Sequence, residues 1–91
     1  MINHPNRAPH WTIIQGAYEA SRAVCVERAR NGRQRLVVRH CAGDQWLLRR
    51  IYRPTSRAEA LALAHSHAPH ADGLALELVA DAAARVGRFA A

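Results

Sequence analysis

"RARNGRQRLVVRHC", residues 28–41, decides how this chain folds. Asn31-Gly32 stands between two segments of strand character, the strongest short hairpin signal available. The arms on either side carry Arg28, Arg30, Arg33, Arg35 and Arg39. As a two-residue turn, Asn31-Gly32 sets Arg30 opposite Arg33, Arg28 opposite Arg35, Val26 opposite Val37 and Val24 opposite Arg39. Side chains alternate across a strand. One face would then hold those five arginines with Val24, Val26 and Val37 between them. The other would hold Ala23, Cys25, Ala29, Leu36, Val38 and His40, and is the natural core side. Like charges facing one another across strands repel and are not buried unpaired, so the arginine face must be wet or bound.

Working outward, Gly43-Asp44 offers a second turn, and "QWLLRRIYR" (45–53) a further strand that Pro54 closes. Two registers are open. In one, Trp46, Leu48 and Tyr52 turn to the core, and Arg49 and Arg53 join the arginine face. In the other, Leu47 and Ile51 go inward and Trp46 and Tyr52 sit among the arginines, an arrangement suited to stacked bases. Upstream, "AVCVERAR" (23–30) has the β-branched content of a strand. Residues 17–30 also admit one helix closed by Asn31-Gly32. "HWTIIQG" (10–16) reads as a strand.

Downstream, "TSRAEALALAHSHA" (55–68) is a helix: Ser56 and Glu59 have capping-box spacing, and Pro69 stops it. "DGLALELVADAAARVGRF" (72–89) reads as a second helix with Asp72 as N-cap. Leu74, Leu78 and Ala82 then share a face with Val86 nearby, although Leu74-Leu76-Leu78 also alternates like a strand. The fold class is therefore α+β: a small antiparallel meander of three to four strands packed against one or two C-terminal helices. Residues 1–10 form a flexible N-terminal segment and 11–91 a single domain.

Hydrophobic residues make up 49% of the chain, but many are alanines and aromatics are only 5%, so the core is small. It is expected to lean on Leu36, Val38, Trp46, Leu48, Leu61 and Leu78. The net charge is +6, and all 13 basic residues other than histidine are arginine. GC-rich coding accounts for the absence of lysine, and selection for guanidinium chemistry is compatible with it. Position is more telling: ten arginines and two acids, Glu27 and Asp44, lie between Arg22 and Arg57. A positive middle segment points to an anionic partner.

No signal-peptide pattern and no long apolar run are visible, which points to the cytoplasm, with Cys25 and Cys41 reduced. His65, His67 and His70 cluster near Asp72. On a helix His65 and His67 point about 200° apart, which suits a polar helix end better than a metal site. Adjacent strand residues face opposite ways, so His40 and Cys41 make no thiol–imidazole pair. Neither metal nor cofactor is expected, and paired carboxylates and glycine-rich phosphate loops are missing. The chain reads as a non-enzyme.

The leading expectation is nucleic-acid binding through an arginine-rich sheet face, with Arg28, Arg30, Arg33, Arg35, Arg39, Arg49 and Arg53 as contacts. Three strands followed by a capped helix resemble, in outline and over about half the chain, the arm-binding domains of some phage integrases. The alternatives are a phage or mobile-element inhibitor or adaptor that docks on an acidic protein surface, and a homodimeric structural or assembly subunit. No membrane partner is expected.

Overall fold

The hairpin at Asn31-Gly32 forms, but as a three-residue loop. In the computed structural model, which describes residues 10–90 and side chains as far as Arg85, the Ala29 carbonyl accepts from Gly32 N at 2.9 Å. Ala29 N in turn donates to the Arg33 carbonyl at 2.8 Å. Gly32 has φ +87°, the left-handed region that glycine enters without a Cβ penalty. A turn over residues 29–32 followed by a left-handed glycine is the usual three-residue hairpin connection. Asn31 Oδ1 accepts from Arg33 N at 3.0 Å and holds the loop.

This one-residue difference resets every pair downstream. β2 (Arg22–Ala29) and β3 (Gln34–Ala42) pair Arg28 with Gln34, Glu27 with Arg35, Val26 with Leu36, Cys25 with Val37 and Ala23 with Arg39. The expected opposition of Arg28 to Arg35 and of Val26 to Val37 is corrected accordingly. So is the choice of core face: Val24, Val26, Leu36 and Val38 share one side, and Ala23, Cys25 and Val37 share the other. Residues 22–29 are strand, which removes the helix over 17–30.

β1 (Trp11–Tyr18) and β4 (Gln45–Tyr52) complete an antiparallel meander in the order β1-β2-β3-β4. Gly43, at φ +65°, opens the tight β3–β4 turn. Both edge strands are bulged. The β1–β2 register shifts between Ile13 and Gln15. The β3–β4 register shifts so that Val38 faces Arg50 and Arg39 faces Leu48, leaving Arg49 without a partner. Neither register expected for the 45–53 strand is therefore realised over its whole length. Trp46, Leu48 and Ile51 share one side, while Leu47, Arg50 and Tyr52 pair on the other. Bulges twist edges and discourage edge-to-edge pairing.

α1 (Arg57–His67) and α2 (Gly73–Ala90) follow. Ser56 caps α1, with Glu59 N donating to its Oγ at 3.1 Å. The Glu59 carboxylate reaches back to Thr55, accepting from its hydroxyl at 3.0 Å. Asp72 caps α2 by accepting from Ala75 N at 3.1 Å. Arg57 joins the helices by donating to Asp81 at 2.5 Å and to Glu77, and these two carboxylates hold its guanidinium above the ordinary arginine pKa.

Both helices lie on one side of the sheet, over β1–β3, and the shortest principal extent is 16 Å. The core between the layers is built from Val24, Val26, Leu36, Leu76 and Val79, with Ala17, Ala60, Ala64, Ala80 and Ala83 allowing close approach. The α2 stripe is thus Leu76-Val79-Ala80-Ala83, in place of the expected Leu74-Leu78-Ala82 face; Leu74 and Leu78 are exposed and only Ala82 of the three is buried. Trp46 and Leu48 are also exposed, because they point away from the helices. The expected flexible segment over residues 1–10 lies, His10 apart, outside the described residues, as does the side chain of Val86. No described helix is long and apolar enough to cross a membrane.

Candidate functional site

The seven expected contact arginines do not share a face. Arg28 lies on the helix side of β2, across from Gln34. With the Gln34 amide oxygen turned toward it, that oxygen accepts from Arg28 Nε at 3.1 Å and Nη2 at 2.8 Å. Arg30 is in the loop, and Arg33 follows it; both are exposed. Arg49 is the bulge residue, and Arg53 lies just past β4. Of those paired within the sheet, only Arg35 and Arg39 stand on the face turned away from the helices. The proposed single platform is corrected to several directions, and the cause is the three-residue loop together with the β4 bulge.

The two arginines that do reach this face are engaged by the chain's own carboxylate. Glu27, 1% exposed, sits between them. Its Oε1 accepts from Arg35 Nε at 3.0 Å, and its Oε2 accepts from Arg39 Nη2 at 2.7 Å and Nε at 3.2 Å. A buried charge persists only when paired and hydrogen-bonded. Here one carboxylate fastens three positions of two strands. Arg35 also lies over the Trp11 ring, 4.2 Å from its centroid, a cation–π contact. Sequence reasoning counted Glu27 only as one of two acids in a basic segment. The available signal was its place in β2, on the same side of the strand as Ala23 and Cys25.

Around this cluster the face is apolar. Ala23, Cys25 and Val37 floor it and are buried by their neighbours on the sheet. Trp11, Ile13, Tyr18, Trp46, Leu48 and Ile51 surround them, and all except the partly covered Trp11 are more than a third exposed. The β1 bulge makes this possible, since it brings Trp11 and Ile13 to the same side as Tyr18 although their numbering differs in parity. Tyr18 and Trp46 meet edge to face at 6.2 Å. A cleft of about 360 Å³ opens among Trp11, Ile13, Tyr18, Glu27 and Trp46. No described element covers this face.

The thiols suit packing better than chemistry. Burial pushes the Cys25 thiol above its ordinary pKa against a smaller opposing effect from the Tyr18 hydroxyl, 3.8 Å away. A thiol held protonated is a weak nucleophile. Cys41 Sγ donates to the Gly43 carbonyl at 3.3 Å. The histidines expected near the α1 end are separated in role: His67 Nε2 bonds the Tyr52 hydroxyl at 2.9 Å, His70 N donates to Glu19, and His65 is exposed. No described group of three or more His, Cys, Asp or Glu side chains is arranged to hold a metal ion.

On the helix side, beyond the end of α1, the β3–β4 overhang forms a second concavity of about 340 Å³. It is lined by Arg22, Val38, Arg39, His40, Arg49, Arg50 and His67. Sequence reasoning passed over Arg22 and Arg50 because their proximity depends on the pairing of Arg22 with His40 and of Arg50 with Val38. No protein-family model, curated protein or solved structure matches this chain, so local geometry alone bears on what these surfaces do.

Proposed function

We propose that this chain is a non-enzymatic binding protein of the inhibitor or adaptor kind, which docks an acidic protein through the sheet face opposite its helices. The observation that carries this is the placement of six large apolar or aromatic side chains around a Glu27–Arg35–Arg39 centre, in which one carboxylate pairs both guanidiniums and leaves a single net positive charge, on an uncovered face. Trp, Tyr and Arg are the residues that dominate interface energetics when a partner seals them from water. Contiguous apolar patches of this kind are uncommon on a monomer's free surface.

Charge favours a heterologous acidic partner over a second copy. The chain carries +6, so a second copy brings like charge, whereas an acidic surface is attracted and steered. Nucleic-acid binding through this same face has less support. Its two arginines are engaged by Glu27, Trp11 already stacks with Arg35, and Ile13, Leu48 and Ile51 offer nothing to a phosphate.

Capture from nuclease-treated extract of the native host tests the proposal, with the intact chain and two variants as bait. Trp46→Ala/Ile51→Ser alters the sheet face, and Arg49→Ala/Arg50→Ala alters the other side. An acidic protein held by the parent and the arginine variant but lost by the sheet variant is the expected result. Retention of every partner by the sheet variant would overturn it. So would a dimer in light scattering that Trp46→Ala/Ile51→Ser dissociates, which would assign the face to self-association.

A further inference from the structure

The concavity beyond α1 has a lining opposite in character to the sheet face. Arg22 enters from β2, His40 from β3, Arg49 and Arg50 from β4, and His67 from the last residue of α1. No carboxylate lines it. Arg22, Arg49 and Arg50 are exposed and form no salt bridge with any described acid. Consecutive strand residues ordinarily point to opposite faces, yet Arg49 and Arg50 line the same groove. The β4 bulge re-aims one of them, a device that recurs beside functional sites. His67 reports the resulting field. Burial, then Arg50 and Arg22, hold its imidazole below the ordinary histidine pKa, and its Nε2 is fixed by Tyr52.

We infer that this groove binds phosphate oxyanions, most favourably those of a nucleic-acid strand. Arg22, Arg49 and Arg50 line one groove with no carboxylate in its lining, and guanidinium forks match phosphate geometry. At about 340 Å³ the space exceeds a single ion and falls at the low end of ligand-sized pockets. The site is distinct from the apolar face proposed to dock a protein: Arg39 borders both, and Arg22, His40, Arg50 and His67 border this groove alone.

The experiment is an NMR titration of the full chain, following the His67 ring and the arginine Nε–H signals, with inorganic phosphate and with a short single-stranded oligodeoxynucleotide. Both ligands are expected to move His67 and raise its apparent pKa. The oligonucleotide is expected to bind at least about tenfold more tightly than phosphate and to weaken steeply with salt. Arg22→Ala/Arg50→Ala is expected to lower oligonucleotide affinity by about tenfold or more. Arg28→Ala/Arg30→Ala removes the same charge at the hairpin turn and should change it by no more than about twofold. Trp46→Ala/Ile51→Ser should leave it unaltered, which separates this site from the protein-docking face. Phosphate moving the same signals with no gain for the oligonucleotide would support the oxyanion site and assign it to small phosphorylated ligands. Equal losses from the two arginine double variants would reduce the effect to net charge and overturn the site, as would a His67 signal that neither ligand moves.

Discussion

Glu27 stands directly across the β2–β3 ladder from Arg35, and its carboxylate is held by that guanidinium and by the one from Arg39, two pleats further along β3. The pair turns a like-charge problem into a fastening. Two cations that would repel on one strand share a buried anion, and the centre of the sheet face they occupy keeps one net positive charge instead of two.

Removing that anion should therefore destabilise the fold. Glu27→Gln leaves two largely covered arginines facing each other without compensation. Breaking a buried ion pair from one side costs about 3 kcal/mol or more. Urea denaturation should show the loss as a lowered midpoint at unchanged slope. A change below about 0.5 kcal/mol, typical of surface substitutions, would show that the cluster does not hold the strands.

The loop glycine makes a second prediction. Gly32 has φ +87° and free space where a Cβ would stand. The penalty of Gly32→Ala is then conformational alone, about 1–2 kcal/mol. Thermal unfolding measures it, and Gly73→Ala, at the ordinary φ of a helix start with equal space, is the comparison expected to be neutral or mildly stabilising.

The corrected α2 stripe separates leucines that look equivalent in sequence. Leu76→Ala, at a position 1% exposed, should cost about 2–5 kcal/mol. Leu74→Ala, at a position 68% exposed, should stay within about 0.5 kcal/mol. Equal losses in denaturant melts would contradict the packing of α2 on the sheet.

His67 supplies a pH dependence. Its folded pKa lies below the unfolded value of 6.5, from burial first and then from Arg50 and Arg22. The unfolded chain therefore takes up a proton that the folded chain resists. Stability should be complete above the ordinary histidine value and fall as pH drops through it toward the lower folded pKa. Tyr52, Arg49 and Arg50 on β4, Arg39 and His40 on β3 and Arg22 on β2 are the other titratable or charged groups around this groove. Comparing melting temperatures of parent and His67→Gln from neutral to mildly acid pH isolates the effect. The parent should lose more, and parallel curves would rule the effect out.

Architecture was legible because local signals agree. Asn31-Gly32, Gly43-Asp44, Pro54, Ser56-Glu59, Pro69 and Asp72 each mark a boundary that the fold uses, and together they yield a meander followed by helices. The facing of side chains was not legible, because it rests on a parity that single residues change. The loop has three residues where Asn-Gly suggests two, and the bulges at Ile14 and Arg49 invert the alternation midway along both edge strands. Arg28 and Arg35 consequently part to opposite faces, Trp46 and Tyr52 part likewise, and Glu27 comes to lie between two cations. The groove of Arg22, Arg50 and His67 joins three separate elements, a convergence that no local pattern encodes.

Cross-strand NOEs between β2 and β3 test the central claim most directly, since the composition of both surfaces follows from that register. Val26 should connect to Leu36 and Glu27 to Arg35, with Ala29 N protected from exchange by its bond to the Arg33 carbonyl. NOEs joining Val26 to Val37 and Arg28 to Arg35 instead would return the arginines to a single face and contradict the account.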